Sequence, residues 1–107
     1  MIEVCYHRKY NRVTIQGHAG SGPEGHDLVC AAASALALTL AGNIAYMEAQ
    51  GAVRAVTTKL EEGNAEICCT PVRKYKDSAE QIIRAVCVGF ELLASKYPGN
   101  IRYEVRG

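Results

Sequence analysis

Residues 17–36, GHAGSGPEGHDLVCAAASAL, join a glycine-rich polar loop to a segment of small apolar residues. The loop, Ala19 to Asp27, holds three glycines and a proline. An ordered loop of this length beside a compact core is more often functional than a plain connection. Asp27 is a favourable N-cap residue, so the sequence predicts a helix from about Leu28 to Gln50 that stops at Gly51. This helix is apolar nearly all round, which indicates burial on two sides, one of them a candidate contact with a second subunit.

Alternating apolar residues on both sides of this stretch predict the strands. Residues 2–7 alternate, and Val13 and Ile15 continue the pattern after a polar turn, which predicts an antiparallel hairpin ending at Gly17-His18. Ala52 to Lys59 and Asn64 to Thr70 flank a Glu61-Glu62-Gly63 turn and form a second predicted hairpin. The last predicted strand contains the alternating residues Ile101, Tyr103 and Val105.

A second helix is predicted from about Asp77 to Tyr97, because its apolar residues recur at helical spacing on one stripe. The stripe consists of Ala79, Ile82, Ile83, Val86, Phe90, Leu93 and Tyr97. The element order is therefore ββαββαβ. The predicted fold class is α+β, with a mostly antiparallel sheet and the two helices packed on one face.

Length and composition place the chain among single-domain proteins, with one domain over residues 1–107. The net charge is only +1 and no basic stripe is visible, which argues against direct binding of nucleic acid. Leu28 to Met47 approaches membrane-spanning length, but Asn43 and the many alanines favour a buried helix, so no membrane association is expected. The N-terminus lacks the apolar region of a signal peptide, and five cysteines cannot all pair, so we expect a cytoplasmic protein.

Cys30 has two possible roles. If Asp27 caps the helix, Cys30 is the third helical residue, its amide is unpaired, and the helix dipole favours the thiolate form. The unpaired amide is also a candidate donor to an oxyanion. Buried free cysteines, however, usually pack as small hydrophobic residues. At the start of a helix that follows a glycine-rich loop, the nucleophilic and packing roles are about evenly matched.

His18 is the preferred candidate base for Cys30, because a strand end and a helix start joined by a loop can lie close together. His26 is the alternative base, four residues before Cys30 on the loop, and His7 has no chemical neighbour in the sequence. Ser34 lies one helical turn beyond Cys30 and can bond either to the thiolate or back to a carbonyl. Asp27 can orient the histidine, although capping alone explains it.

Metal and cofactor sites are not predicted. Cys68 and Cys69 are adjacent in a strand and therefore point to opposite faces of the sheet. The sequence has no CxxC motif and no paired His and Cys spacing typical of zinc sites. The GSGPEG loop lacks the Lys-Ser/Thr ending of a phosphate-binding loop.

Gly17-His18-Ala19, followed after the loop by Asp27-Leu28-Val29-Cys30-Ala31-Ala32-Ala33-Ser34, resembles the ribosomal-processing cysteine proteases of the Prp (YsxB-like) family. The resemblance extends over essentially the whole chain. It implies a single cysteine-protease domain with a catalytic dyad of His18 as base and Cys30 as nucleophile. Gly17, Asp27 and Ser34 match further positions of the motif and would be supporting residues. The resemblance also implies a substrate loop that closes over the peptide, formed by Gly20, Ser21, Gly22, Pro23, Glu24, Gly25 and His26.

The activity implied by this resemblance is endopeptidase cleavage by acyl transfer. The substrate would be the N-terminal extension of large-subunit ribosomal protein L twenty-seven, and the enzyme would be a homodimer without a cofactor. The alternative is a non-enzymatic ribosome-associated binding module in which Cys30 is simply buried. A thiol redox sensor is a third possibility, but the sequence marks no resolving cysteine.

Overall fold

The fold is given by a computed structural model that describes residues 1–18 and 26–107, with the backbone alone for His26 and Asp27. The described part contains five strands and two long helices in the predicted order ββαββαβ. Short 3-10 turns at Arg8–Tyr10 and Arg73–Tyr75 connect some of them. The elements are β1 (Ile2–His7), β2 (Arg12–Gly17), α1 (His26–Ala49), β3 (Val53–Glu61), β4 (Asn64–Pro71), α2 (Lys76–Lys96) and β5 (Ile101–Arg106).

The five strands form one sheet in the order β3-β4-β2-β1-β5. The β1–β5 pair is parallel and the three other pairs are antiparallel, so the sheet is mostly antiparallel, as predicted. Ile2 pairs with Gly17, and Gln16 pairs with Asn64. The end of β2 therefore lies beside the start of β4 and the turn that precedes it.

The core lies between one face of the sheet and the two helices. Strand residues alternate between this face and the opposite one, because the side-chain period of a strand is two. In β1, Ile2, Val4 and Tyr6 are buried. In β4, Cys69 is only 3% exposed, whereas its neighbour Cys68 is half-buried on the other face. This difference confirms the prediction that the two adjacent cysteines point apart.

Helix α1 ends as predicted and begins earlier than predicted. Gly51 follows its last turn with φ +76°, and two amides, those of Gly51 and Ala52, donate to the carbonyls of Glu48 and Met47 at 3.0 and 2.8 Å. This pair of bonds is the Schellman arrangement that a C′ glycine permits. The first helical residue is His26 rather than Leu28.

One stripe of α1 is buried against the sheet: Val29, Ala33, Ala37, Leu40, Ile44 and Met47. The opposite side includes Leu28, Leu38 and Tyr46, which are 68%, 62% and 69% exposed. Burial on two sides therefore does not occur within the single chain. By length and composition, Leu28–Ala49 is also apolar enough to cross a membrane, with a mean hydropathy of 1.9 over an 18-residue window. The core helix of a soluble protein can meet the same criterion, and the inner stripe of α1 is part of this core.

Helix α2 follows the predicted stripe closely. Ala79, Ile83, Cys87 and Phe90 are buried, at spacings of four, four and three residues. The other predicted stripe residues, Ile82, Val86, Leu93 and Tyr97, pack against the core in partly buried positions. Cys87 is the one buried residue that the predicted stripe omitted.

Candidate functional site

A cleft of about 390 Å³ opens where three elements meet: the first turns of α1, the end of β2 and the turn between β3 and β4. Its size lies at the lower end of the range for ligand pockets. Apolar residues form most of its wall, namely Ile2, Ile15, Ala33, Ala37, Leu38, Leu60 and Ala65. Cys30, His18, Ser34 and the β3–β4 turn supply its polar groups. The structure therefore brings both predicted members of the dyad to the same cleft.

Cys30 is half-buried and is the fifth residue of α1, not the third. The amide of a fifth helical residue belongs to the helical hydrogen-bond ladder and is not one of the free donors at the helix start. The helix start therefore does not supply the Cys30 amide as a free oxyanion donor. The effect of the helix dipole is also weaker at this position, because it falls off within the first turn. The structural reason to expect a reactive Cys30 is therefore its position in the cleft.

His18 follows the last residue of β2 directly, and its side chain is exposed. The backbone around it is fixed at two points: the Gly17 amide donates to the Gly63 carbonyl at 2.9 Å, and the Met1 ammonium donates to the His18 carbonyl. The imidazole lies against the β3–β4 turn at Gly63. No hydrogen bond joins His18 to Cys30 among the described residues. The two side chains thus share the cleft without a direct bond between them.

Gly17 has a physical reason to be glycine. Its φ is +92°, in the region that residues with a Cβ rarely adopt, and a Cβ at this position would overlap the carbonyl oxygen of Met1. Gly17 therefore lets the end of β2 approach the start of β1 closely. Through its bond to Gly63, it also fixes the backbone that carries His18.

The other predicted supporting residues differ in how far they are described. Ser34 lies one turn beyond Cys30 and also lines the cleft, as its spacing predicted. Because α1 begins at His26, Asp27 lies inside the first turn, so the prediction of Asp27 as N-cap was wrong. The side chains of Asp27 and His26 are outside the described part of the chain. The rest of the predicted substrate loop, Gly20, Ser21, Gly22, Pro23, Glu24 and Gly25, is also outside it.

The second hairpin provides a part of the cleft wall that was not predicted from the sequence. Leu60, Glu61, Glu62, Gly63 and Asn64 all line the cleft. In the sequence they are recognisable only as a turn between two strands. Their approach to His18 depends on the pairing of β2 with β4, a contact between segments almost fifty residues apart. Only knowledge of the strand order could have placed them at the site.

The remaining cysteines lie away from the cleft. Cys69 and Cys87 are buried, and burial raises the pKa of each thiol to about 11. Burial also raises the pKa of Cys5, which lies on the outer face of β1. All five cysteines are free, and no group of three His, Cys, Asp or Glu side chains suited to a metal ion occurs within the described part of the chain.

A thiol and an imidazole that open onto one cleft are the two groups that a cysteine-dependent hydrolase needs. The comparison with known families agrees, because the sequence model of the family described as cysteine protease Prp matches residues 1–102. The chain therefore belongs to the Prp family and is a cysteine protease. No curated protein sequence matches it significantly.

Solved structures share the fold over almost the full chain. The ribosomal processing protease Prp from Staphylococcus aureus, in complex with a covalently linked product peptide, is 24% identical with a TM-score of 0.70. The alignment covers 98% of this chain and 97% of that one. The same protein with a substrate peptide is 23% identical over the same shares, again with a TM-score of 0.70. SMU.848 from Streptococcus mutans is 22% identical, with a TM-score of 0.67 over 98% of this chain and 91% of that one.

Proposed function

We propose that this cysteine protease processes a ribosomal protein, and that its substrate is the N-terminal extension of large-subunit ribosomal protein L twenty-seven. The observation that carries the proposal is the common cleft of Cys30 and His18 in a chain of the Prp family. It is supported by the Staphylococcus aureus Prp structures, which share this fold and are described with a substrate peptide and a covalently linked product peptide. The largely apolar cleft can bind apolar side chains of a peptide.

The proposed reaction is acyl transfer in two steps. His18 accepts the thiol proton of Cys30, and the sulfur attacks the scissile carbonyl carbon. The resulting imidazolium then donates its proton to the leaving amine, the C–N bond breaks, and the N-terminal fragment stays on Cys30 as a thioester. Water then loses a proton to His18 and attacks the thioester carbonyl carbon. The C–S bond breaks, the N-terminal fragment leaves with a new carboxyl group, and the imidazolium returns its proton to the sulfur, which restores the thiol and the neutral base. The two groups must come within hydrogen-bonding distance for the first transfer, and such bonds often tighten only when substrate is bound.

The supporting residues have distinct proposed roles. Gly17 holds the strand end that carries His18, as its close approach to Met1 requires. Ser34 faces the cleft one turn beyond Cys30, where its hydroxyl can donate to the thiolate or to the bound peptide. Asp27, in the first turn of α1, is proposed as a supporting residue because it matches the family motif. The substrate loop, residues 20–26, stays a prediction.

The exposed side of α1 supports a homodimer. Leu28, Leu38 and Tyr46 are each more than 60% exposed, and large apolar side chains grouped on one helix face are typical of subunit contacts. Tyr46→Glu should therefore convert a dimer to a monomer in sedimentation equilibrium. Tyr10→Glu is the matched control, because Tyr10 is 65% exposed but lies in the turn after β1. A monomeric wild-type protein would contradict this part of the proposal.

The expected environment is the cytoplasm, where free thiols persist. We expect no direct contact with nucleic acid, because the chain has almost no net charge, and no insertion into a membrane.

The direct test is cleavage of a synthetic peptide that spans the N-terminal extension of the ribosomal protein, followed by mass spectrometry. The wild-type protein should release one defined N-terminal fragment. Cys30→Ala should abolish cleavage and Cys68→Ala should not, since Cys68 lies on the outer face of β4. Tight peptide binding without cleavage would instead support the non-enzymatic binding module. Cleavage of other peptides but not this one would refute the proposed substrate and leave the dyad in place.

A further inference from the structure

We propose that Gly63, in the turn between β3 and β4, is a positioning residue that holds the imidazole of His18 in the cleft. The inference rests on the proposed catalytic role of His18 and extends it to a second hairpin that has no reacting group of its own. Gly63 acts only through His18.

The first observation is the close approach of the imidazole to the turn. A Cβ built on Gly63 would lie 2.7 Å from Nε2 of His18, 2.9 Å from Cε1 and 3.5 Å from Cδ2. The edge of the ring that carries Nε2 therefore lies directly over the space that glycine leaves open. Real Cβ atoms essentially never approach a ring atom under 3.0 Å, so any other residue at position 63 requires the ring to move.

The second observation is that the same residue holds the backbone before His18. The carbonyl of Gly63 accepts a hydrogen bond from the amide of Gly17 at 2.9 Å. The neighbouring residues Gln16 and Asn64 also pair, as part of the β2–β4 ladder. The turn thus fixes the strand end that carries His18 and also forms the surface beneath its ring. Gly63 thus contacts the main chain of Gly17 and the side chain of His18. Together these two contacts restrict the position and the rotamers of His18.

This restriction matters because the side chain of His18 is otherwise exposed. An exposed histidine samples several rotamers, and each rotamer that points away from Cys30 removes the base from the reaction. A misplacement of about 1 Å can lower a reaction rate by roughly a hundredfold. The turn keeps the imidazole at the cleft before substrate arrives.

The test compares Gly63→Ala with Gly51→Ala, which is a matched control. The two glycines have nearly the same φ, +75° and +76°, so alanine suffers the same backbone strain at both sites. A Cβ at Gly51 meets no atom within 4 Å, and Gly51 lies about 30 Å along α1 from Cys30. We expect both variants to lose similar backbone stability. Only Gly63→Ala should lower kcat for the extension peptide, by about tenfold to a hundredfold, with little change in KM.

A second pair of variants keeps the test valid if alanine prevents folding. Asparagine adopts positive φ more readily than alanine does, yet it still has a Cβ. Gly63→Asn should fold as well as Gly51→Asn while shifting the NMR signals of the His18 imidazole and changing the pH profile of kcat. A merely structural role for Gly63 would leave the imidazole signals and the pH profile of the folded variant as in wild type.

Combination with His18→Ala separates the failure of this inference from the failure of the proposed function. In the His18→Ala background, Gly63→Ala should cause no further loss of Cys30 alkylation rate, because the group it displaces is gone. If His18→Ala itself leaves alkylation and cleavage unchanged, the dyad is wrong. If His18→Ala abolishes cleavage but Gly63→Ala and Gly63→Asn retain wild-type kcat, the dyad stands and the positioning role of Gly63 is refuted.

Discussion

The five cysteines should differ sharply in their reaction with iodoacetamide, and the adjacent pair in β4 gives the clearest contrast. Cys69 is 3% exposed and faces the core, whereas Cys68 is half-buried on the outer face of the same strand. Cys87, on the buried stripe of α2, is 1% exposed. Alkylation of the native protein at pH 7.5 therefore tests the strand register and the placement of these side chains.

The size of the difference follows from the thiolate fraction, since the thiolate is the species that reacts. Burial raises the pKa of Cys69 and Cys87 from 9.0 to about 11. A rise of two pKa units lowers the thiolate fraction at pH 7.5 by about a hundredfold. Restricted access of the reagent lowers the rate further. We expect each of these two thiols to react at least about a hundredfold more slowly in the native protein than in the same protein in guanidinium chloride.

The assay is a time course of alkylation followed by digestion and mass spectrometry of the cysteine-containing peptides. The denatured sample gives the reference rate of every cysteine in its own sequence context. Reaction of native Cys69 within tenfold of its denatured rate would refute its placement in the core. Protection of Cys68 together with reaction of Cys69 would show that the register of β4 is displaced by one residue, because such a slip exchanges the two faces.

Two further predictions concern stability. Because the pKa values of Cys69 and Cys87 are raised in the folded protein, the unfolded chain loses these two protons at a lower pH than the folded protein does. The free energy of unfolding should therefore be constant below about pH 9 and should fall by up to about 3 kcal/mol per thiol between about pH 9 and pH 11. Denaturant titrations across this pH range should show a smaller fall in the free energy of unfolding for Cys87→Ala than for wild type. An equal fall in the two proteins would show that burial does not raise the pKa of Cys87. Gly17→Ala should lower the free energy of unfolding by about 2–4 kcal/mol, because it combines positive φ with an overlap with the Met1 carbonyl. Gly99→Ala, which meets no atom within 4 Å, should stay within about 1 kcal/mol of wild type, and similar losses in both variants would refute the steric explanation.

The fold could be predicted from the sequence because its local patterns are strong and consistent. The alternation in β1, the stripe of α2 and the glycine that ends α1 each report a local periodicity or a local backbone requirement. The start of α1 was less predictable. Asp27 is a favourable N-cap residue, yet the helix begins at His26, and helix boundaries are commonly uncertain by one or two residues. That small displacement moved Cys30 by two helical positions and removed its amide from the free donors.

The candidate site could be predicted only in part, for a different physical reason. His18 and Cys30 lie close together in the sequence, on either side of one loop, so their common cleft follows from local connectivity. Another part of the cleft wall belongs to a hairpin that reaches the site through pairing of β2 with β4. No local pattern at Gly63 reveals that it lies against His18. Such contacts depend on the order of strands in the sheet, which short-range periodicity does not determine.

The most direct test of the dyad is the rate of Cys30 alkylation at pH 7, measured by mass spectrometry. The rate is compared among wild type, His18→Ala and His26→Ala, each with and without the extension peptide. Because both His18 and Cys30 line the cleft, we predict that His18→Ala lowers the rate at Cys30 by about tenfold or more. His26→Ala should retain the wild-type rate, and bound peptide should protect Cys30 in all three proteins. Equal rates in wild type and His18→Ala, with the loss in His26→Ala instead, would contradict the assignment of His18 as the base.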